Sequence, residues 1–524
     1  MKFFTTEGPV NCSDHYCLPP LERFDLDDIL RLIAQKKYFV LHAPRQTGKT
    51  SSLLALMTYL NQEGNYRALY ANIEGAQAAR ENVELGIPAV IQAIAGEAYW
   101  RLHDENAMSL AQRISAEANP MVALEQFIAF WCQQCPKPTI LILDEVDALV
   151  GDTLISLLRQ LRSGYSKRPV QFPQSVILCG VRDIRDYRIH SSREKAIITG
   201  GSAFNIKAKS LRMGDFIEPE VSALLQEHTK ETGQIFEPDA MQTIWYLTQG
   251  QPWLVNALAY ETCFEMKEGR GRTIPITRKM VLDAKENLII NRVTHLDQLS
   301  DKLQEPRVRR VVEPILAGDI ITEGTDDDRQ YVIDLGLVRR KGAGGLVISN
   351  PIYREVIPRV LAGAPQDSLP AMSPSWLKPD GSLDTHALLN KFLEFWRQHG
   401  EPLMRSAPYH EIAPHLVLMA FMHRVVNGGG TIEREYAIGS GRMDLCIRFG
   451  DATLAIELKV WRDREPDPLA EGLKQIEGYL KGLSLDTGWL VIFDHRSGQP
   501  RIRERTVAES ATTQSGMAVT VIRA

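Results

Sequence analysis

The stretch LHAPRQTGKTS, residues 41–51, decides how the first half of the chain is read. The run YFVLHA (38–43) is apolar and of strand type, PRQTGKT makes a turn, and SSLLALMTYLNQ returns apolar residues at helical spacing. Strand, glycine-bearing turn and helix in that order are the setting of a phosphate-binding loop. Gly48 permits a close backbone approach that a β-carbon would block. The amides of residues 46–50, at the helix N-terminus, are placed to cradle an anion. Lys49 is expected to reach β- and γ-phosphates and the Thr50 hydroxyl to coordinate Mg²⁺. Ala43 stands where the first glycine of such loops belongs, but it sits at the strand exit and removes no amide donor. Pro44 does remove one, at a position the cradle does not need. The candidate ATP site is therefore Pro44, Arg45, Gln46, Thr47, Gly48, Lys49, Thr50 and Ser51.

A second element supports this. TILILDEVDAL (139–149) is a buried-strand run that ends in carboxylates. Asp144 is suited to hold Mg²⁺ through water and Glu145 to polarise an attacking water. Asp147 reads as a first-turn helix acid. RALYANI (67–73), SVILCGV (175–181) and FNIKAKSL (204–211) are further strand candidates separated by helical segments, the pattern of a parallel sheet with crossovers. Arg182, after SVILCGV, is placed either to sense a γ-phosphate or to pair with Asp183 or Asp186. Arg185 and Arg188 are candidates to act on a neighbouring subunit. Asn72 and Glu74 end the second strand.

Composition narrows the classes. The 524 residues exceed one ordinary domain, and 44% hydrophobic with 24% charged residues is the balance of a soluble globular protein. A net charge of −5 supplies no bulk basic field, so nucleic-acid contact would come from a local groove. No apolar run reaches membrane-spanning length and the N-terminus lacks a signal-peptide core, which leads us to expect a cytoplasmic protein with no membrane partner. Seven cysteines, odd in number and thinly spread, do not read as a disulfide framework. Cys132 and Cys135 form a CxxC without a second ligand pair and read as helix-end thiols rather than a metal site.

The APRQTGKT loop, the ILILDE strand and the CGVRD strand end together resemble the AAA+/STAND branch of P-loop ATPases. The helical segment 216–266 adds LTQGQPWLVNALA, in which Gly250 ends one helix and Pro252 starts the next. That string resembles the Gly-x-Pro lid motif of STAND and archaeal ATPases. The resemblance implies that Pro252 and its neighbours close over the base and sense nucleotide state.

Residues 300–361 carry helical PRVRRVVEPILAG, then DDRQYVIDLGLVRR, a Gly-rich turn and GLVISNPIYREVIPRVL, a winged-helix-like succession. Its basic residues Arg307, Arg309, Arg310, Arg339, Arg340 and Lys341 are interleaved with acids and read as a solvated face or an interdomain joint rather than a DNA surface. Residues 364–382, rich in Pro and Ser, read as a linker.

The last third turns on EREYAIGSGRMDLCIRFGDATLAIELKVW, 433–461. RMDLCIRF and TLAIELKVW are strands joined by a Gly-Asp turn of hairpin type. Glu457 and Lys459, two apart, share a face, and a twisted hairpin brings Asp444 to it. Asp444, Glu457 and the Leu458 carbonyl are hard oxygen ligands for Mg²⁺ or Mn²⁺, with Lys459 placed to orient water or stabilise charge. Gln475 and Tyr479 lie one turn apart on the helix LKQIEGYLKGL. The set GR-x-D, E-x-K and Q-x-x-x-Y resembles the PD-(D/E)XK nuclease superfamily. Carried over, Asp444, Glu457 and Lys459 are catalytic, Gln475 and Tyr479 support the site, and Glu411 matches an extra helix acid of some members. His410 and His415 fall at poor ligand spacing.

The chain as a whole resembles bacterial AAA-ATPase-like proteins with a C-terminal PD-(D/E)XK domain. The expected architecture is α/β: a P-loop parallel sheet (1–215), a helical lid (216–297), a winged-helix-like module (298–363), the linker, and an α/β restriction-endonuclease-like domain (383–524). The implied activity is ATP-controlled, metal-dependent cleavage of DNA, with RNA left open, in a chain able to form homo-oligomers; family context suggests defence or mobile-element biology. The rival readings are a STAND-like oligomerising switch whose end domain binds nucleic acid or a partner without cleaving, and a DNA-translocating motor.

Overall fold

The computed structural model describes residues 1–183, 188–191, 196–291, 294–317, 325–342, 344–361, 376–406, 413–426, 430–438 and 441–524. Arg185, Asp186, His410 and Glu411 lie outside them, as does most of the Pro- and Ser-rich stretch. The chain forms two compact units, Met1–Val293 with Thr325–Asn350 and Thr294–Gly324 with Pro351–Ala524. Segment 298–363 is thus shared between the units. Among the described residues no helix is long and apolar enough to cross a membrane.

In the first unit, β1 (Tyr38–His42), β2 (Arg67–Asn72), β3 (Thr139–Asp144), β4 (Ser175–Gly180) and β7 (Lys207–Arg212) make a parallel sheet in the order β2-β3-β4-β1-β7. Its inner strands are apolar on both faces because both are covered. Val40, Leu69, Leu141 and Leu178 meet the helices Val83–Leu102, Pro120–Gln133 and Gly151–Ser163. Phe39, Leu41, Tyr70, Ile142 and Ile177 face the phosphate-loop helix Lys49–Glu63. The last strand begins three residues later than its apolar run suggests. Phe204 is buried in a turn and stacks on Tyr38, with ring centroids 6.3 Å apart, instead of starting the strand. Short β5 (Arg188–Ser191) and β6 (Ala196–Thr199) form a separate antiparallel ribbon. The segment expected to be a lid, 216–297, comprises the helices Glu218–Thr232, Pro238–Thr248, Pro252–Tyr260 and Arg278–Ile290. Helix Asp326–Asp334 and the ribbon β8 (Val338–Arg340) with β9 (Leu346–Ile348) complete this unit.

In the second unit, six strands run β10-β11-β12-β13-β15-β14: β10 (Gly430–Ile438), β11 (Gly441–Phe449), β12 (Ala452–Trp461), β13 (Thr487–Asp494), β14 (Val507–Thr512) and β15 (Ala518–Arg523). β11 and β12 are the expected hairpin, and β12, β13 and β15 run parallel. Leu445, Ile447, Ile456 and Leu458 face the helices Thr385–Ser406 and Ala413–Val426. Cys446, Ala455, Leu490 and Ile492 face the helix Leu469–Leu483. Strand alternation puts Asp444, Glu457 and Lys459 on this second face. Trp376, inside the expected linker (364–382), is buried in the first of these two cores.

Candidate functional site

The phosphate loop follows β1 and takes left-handed backbone at Gln46 (φ +58°) and Gly48 (φ +90°) before the helix begins at Lys49. Lys49 is 5% exposed, and its ammonium donates to the carbonyls of Ala43 (3.0 Å) and Pro44 (2.9 Å). The Thr47 hydroxyl also donates to Pro44 (2.8 Å). The lysine is thereby folded back onto its own loop, a charge satisfied by dipoles that an anion can replace.

The loop reaches over the end of β4 toward β3, where the Thr50 hydroxyl donates to Asp144 Oδ2 at 2.8 Å. Tyr70 on β2 donates to the same oxygen at 2.8 Å, and the Glu145 amide to Oδ1 at 3.0 Å. Three donors hold a fully buried carboxylate ready to receive positive charge. Glu145 has left-handed backbone, φ +57°. Burial, then the neighbouring Asp147 and Asp144, push its carboxyl above the usual range, against the pull of Lys49 and Arg45. A raised carboxyl pKa makes a better proton acceptor from water. The hard oxygens of Thr50 and Asp144 fit Mg²⁺.

Beside the loop lies a cleft with a cavity volume of about 140 Å³. Gln46, Thr47, Gly48 and Ser51 form its floor, Phe216, Pro252, Trp253 and Asn256 its lid side, and residues from Thr5 to Leu18 its third wall. Pro252 lines the same cleft as the phosphate loop, in the first turn of its helix, with Gln251 capping the Leu254 amide at 2.6 Å. Arg182 is engaged elsewhere. It pairs with Asp327 (3.0 Å) and Asp334 (3.3 Å) and lies over the Tyr331 ring at 5.0 Å. Asp183, one of its expected partners, holds Lys207 instead.

The N-terminal wall, Tyr70 and Trp253 escape a motif reading. The wall is knitted by the Trp253 indole to the Thr6 carbonyl (2.9 Å) and the Val10 amide to the Ser51 hydroxyl (2.9 Å). A disulfide joins Cys12 to Cys17, a single local bond that the reading of the seven cysteines as no disulfide framework did not foresee. The turn-forming residues Asn-Cys-Ser-Asp between and before them are the signal that marks this loop. Cys132 and Cys135 are free, and burial pushes the Cys132 thiol up to about 12.

In the second unit the β11–β12 register sets Asp444 next to Glu457, and the Leu458 amide donates to Asp444 Oδ2 at 2.8 Å. Glu457 is 3% exposed, and burial followed by Asp444 raises its carboxyl to about 8, against Lys459. Lys459 Nζ lies 3.1 Å from Glu457 Oε1 and 3.6 Å from Glu471 Oε1. Gln475, one turn on, donates to Glu471 at 3.3 Å. Glu457 Oε2 and Gln475 Oε1 are both buried without a donor among the described residues. Orphaned buried acceptors beside a second carboxylate fit a hard cation, with Asp444, Glu457 and the Leu458 carbonyl as candidate ligands. Among the described residues no group of three or more His, Cys, Asp or Glu converges as a complete metal cage. Glu471, which links Lys459 to Gln475, is absent from the motif reading. Tyr479 is half-buried on the same helix and His415 is buried.

No protein-family model and no curated protein matches the chain. Among solved structures it is similar to a Walker-type ATPase of Pyrococcus abyssi, at 14% identity and a TM-score of 0.45 over 68% of this chain and 99% of the other. It is also similar to Cdc6p of Pyrobaculum aerophilum, at 13% identity and a TM-score of 0.36 over 77% and 93%. A third is the RuvB Holliday junction branch migration motor of Thermotoga maritima, at 11% identity and a TM-score of 0.33 over 64% and 96%.

Proposed function

We propose that the chain binds and hydrolyses ATP at the phosphate loop and uses that nucleotide state to control divalent-metal-dependent cleavage of DNA at the β11–β12 site. On the nucleotide side, the loop amides and Lys49 bind phosphate, Thr50 and Asp144 hold Mg²⁺, Glu145 takes the proton of the attacking water, and Pro252 closes on the base. On the nucleic-acid side, Asp444, Glu457 and the Leu458 carbonyl hold Mg²⁺ or Mn²⁺, while Lys459 and Gln475 orient water and phosphate. A cation there supplies charge neutralisation and an acidified water. The observation that carries the reading is Glu457, buried beside Asp444 and Lys459 with one oxygen that no described donor satisfies. The working parts are the segments 1–215, 216–297, 298–363 and 383–524, with DNA as the partner and self-assembly as the route to control.

One observation favours the non-cleaving switch: Lys459 is spent on two carboxylates, Glu457 and Glu471. The deciding experiment follows supercoiled plasmid with Mg²⁺ or Mn²⁺ and no nucleotide, ATP, ADP or a non-hydrolysable analogue. Cleavage that disappears in Lys459→Ala and changes with nucleotide in the wild type but not in Lys49→Ala supports the proposal. ATP-dependent assembly without cleavage under either metal supports the switch.

A further inference from the structure

The N-terminal wall of the cleft has an anchor on each side of its disulfide. Val10, two residues before Cys12, donates its amide to Ser51 on the phosphate-loop helix at 2.9 Å. Tyr16, one residue before Cys17, is 1% exposed and its hydroxyl meets His228 Nδ1 of the lid at 3.2 Å. The Lys2 amide adds a bond to Glu231 of the same lid helix at 3.0 Å. Between the anchors the chain turns on itself, with the Asn11 carbonyl accepting from the amides of Asp14 (3.0 Å) and His15 (2.8 Å). The Cys12–Cys17 bond closes this turn with Cα atoms 5.5 Å apart. It thereby sets the spacing between the anchor on the phosphate loop and the anchor on the lid. Cys17 itself lines the cleft, and both cysteines are half-buried, within reach of a reductant. The other five cysteines are free, so the pairing is confined to this one place.

We infer that Cys12–Cys17 is a reversible redox site, reduced by a dithiol, whose disulfide form clamps the lid to the phosphate loop and so holds nucleotide. This inference rests on the reading of the cleft as an ATP site. A thiolate of the dithiol attacks one sulfur of the pair, forms a mixed disulfide and displaces the other sulfur, which takes a proton. The second thiol of the donor then displaces the remaining protein sulfur. Two electrons and two protons have passed to the protein, and the donor leaves as a disulfide. The reduced turn regains the freedom of a six-residue loop, and the wall formed by Thr5, Thr6, Gly8 and Val10 is then held only by its own bonds to Trp253 and Ser51. Chain entropy alone puts the loss of ATP affinity at up to about fortyfold.

The test uses the full chain, oxidised or treated with dithiothreitol, with thiol occupancy read by mass after alkylation. ATP affinity is measured by calorimetry and the order of residues 3–18 by amide hydrogen exchange. The expected result is faster exchange in 3–18 and ATP binding weakened about fivefold or more on reduction. The double variant Cys12→Ser/Cys17→Ser should hold the reduced value with or without dithiothreitol. Absence of the disulfide in oxidised protein, or equal ATP affinity in both states with binding intact, overturns the redox inference alone. Absence of ATP binding in both states overturns the nucleotide reading and the coupling with it, while the exchange data still report whether the turn is redox-sensitive.

Discussion

Replacement of Gly250 by alanine should damage the cleft through the backbone alone. Gly250 sits at φ +80°, a conformation that costs an L-residue about 1–2 kcal/mol. An added β-carbon would stand 1.9 Å from the Phe216 carbonyl oxygen and 2.9 Å from its carbonyl carbon, so one of two backbones must move by about 1 Å or more. That movement breaks the bond from the Phe216 amide to the Gly250 carbonyl, now 2.8 Å, at a further cost of about 1–3 kcal/mol. The sum, about 2–5 kcal/mol, should lower the melting temperature by roughly 3–8 °C for a unit of this size. Because Phe216 and Pro252 both line the cleft, ATP affinity should fall as well. Gly233→Ala is the control. It shares the positive φ (+76°) at the end of a lid helix, but its β-carbon meets nothing within 4 Å. The assay is thermal unfolding of both variants followed by circular dichroism, with calorimetric ATP binding. Equal melting temperatures for Gly250→Ala and Gly233→Ala would refute the steric reasoning.

Three further outcomes are expected. Lys49→Ala should weaken ATP binding about 10- to 150-fold, the loss of a charge-assisted contact, and calorimetry that finds unchanged affinity would remove this lysine from the site. Tyr70→Phe deletes one of two hydroxyl donors to Asp144 Oδ2 and should cost about 1–3 kcal/mol in urea unfolding; a neutral result means that Asp144 is satisfied without it. Glu457 is raised from 4.5 to about 8, so between those pH values the folded protein holds a proton that the unfolded chain releases. The contribution of Glu457 to the stability of the second unit should therefore be fullest below pH 4.5 and fall as pH rises to 8. Glu457→Gln, measured in metal-free buffer, should flatten that slope and stabilise by about 2–4 kcal/mol at pH 8; a parallel slope in wild type and variant would count against it.

The parts legible in the sequence are those with a local period or a local turn. β1 to β4 are covered on both faces and so appear as unbroken apolar runs, and the carboxyl ends of β1 and β3 carry the loop and Asp144 in plain view. Glu457 and Lys459 are readable as face-sharing because a strand repeats every two residues. What stayed hidden depends on partners far away in the chain. Arg182 is claimed by acids 145 and 152 residues later, which no local pattern announces. Tyr70 reaches Asp144 only because parallel pairing sets β2 beside β3. The Cys12–Cys17 turn is local, yet its importance comes from Ser51 and His228 on either side of it. Glu471 falls outside the nuclease-like motif, and its place between Lys459 and Gln475 emerges only when the helix packs on the sheet.

The allocation of segments to the two units has a consequence for how the polypeptide can be cut. The chain leaves the first unit after 293, returns at 325 and leaves again after 350, so three covalent passages stitch the units together. A protease that nicks the Pro- and Ser-rich stretch severs none of those passages. It cuts within the second unit instead, leaving helix Pro351–Leu361 on one fragment and its packing partner Ala413–Val426 on the other. The nicked protein should migrate as one species under native conditions and part only in denaturant. Fragments divided at that stretch will not correspond to either folded unit.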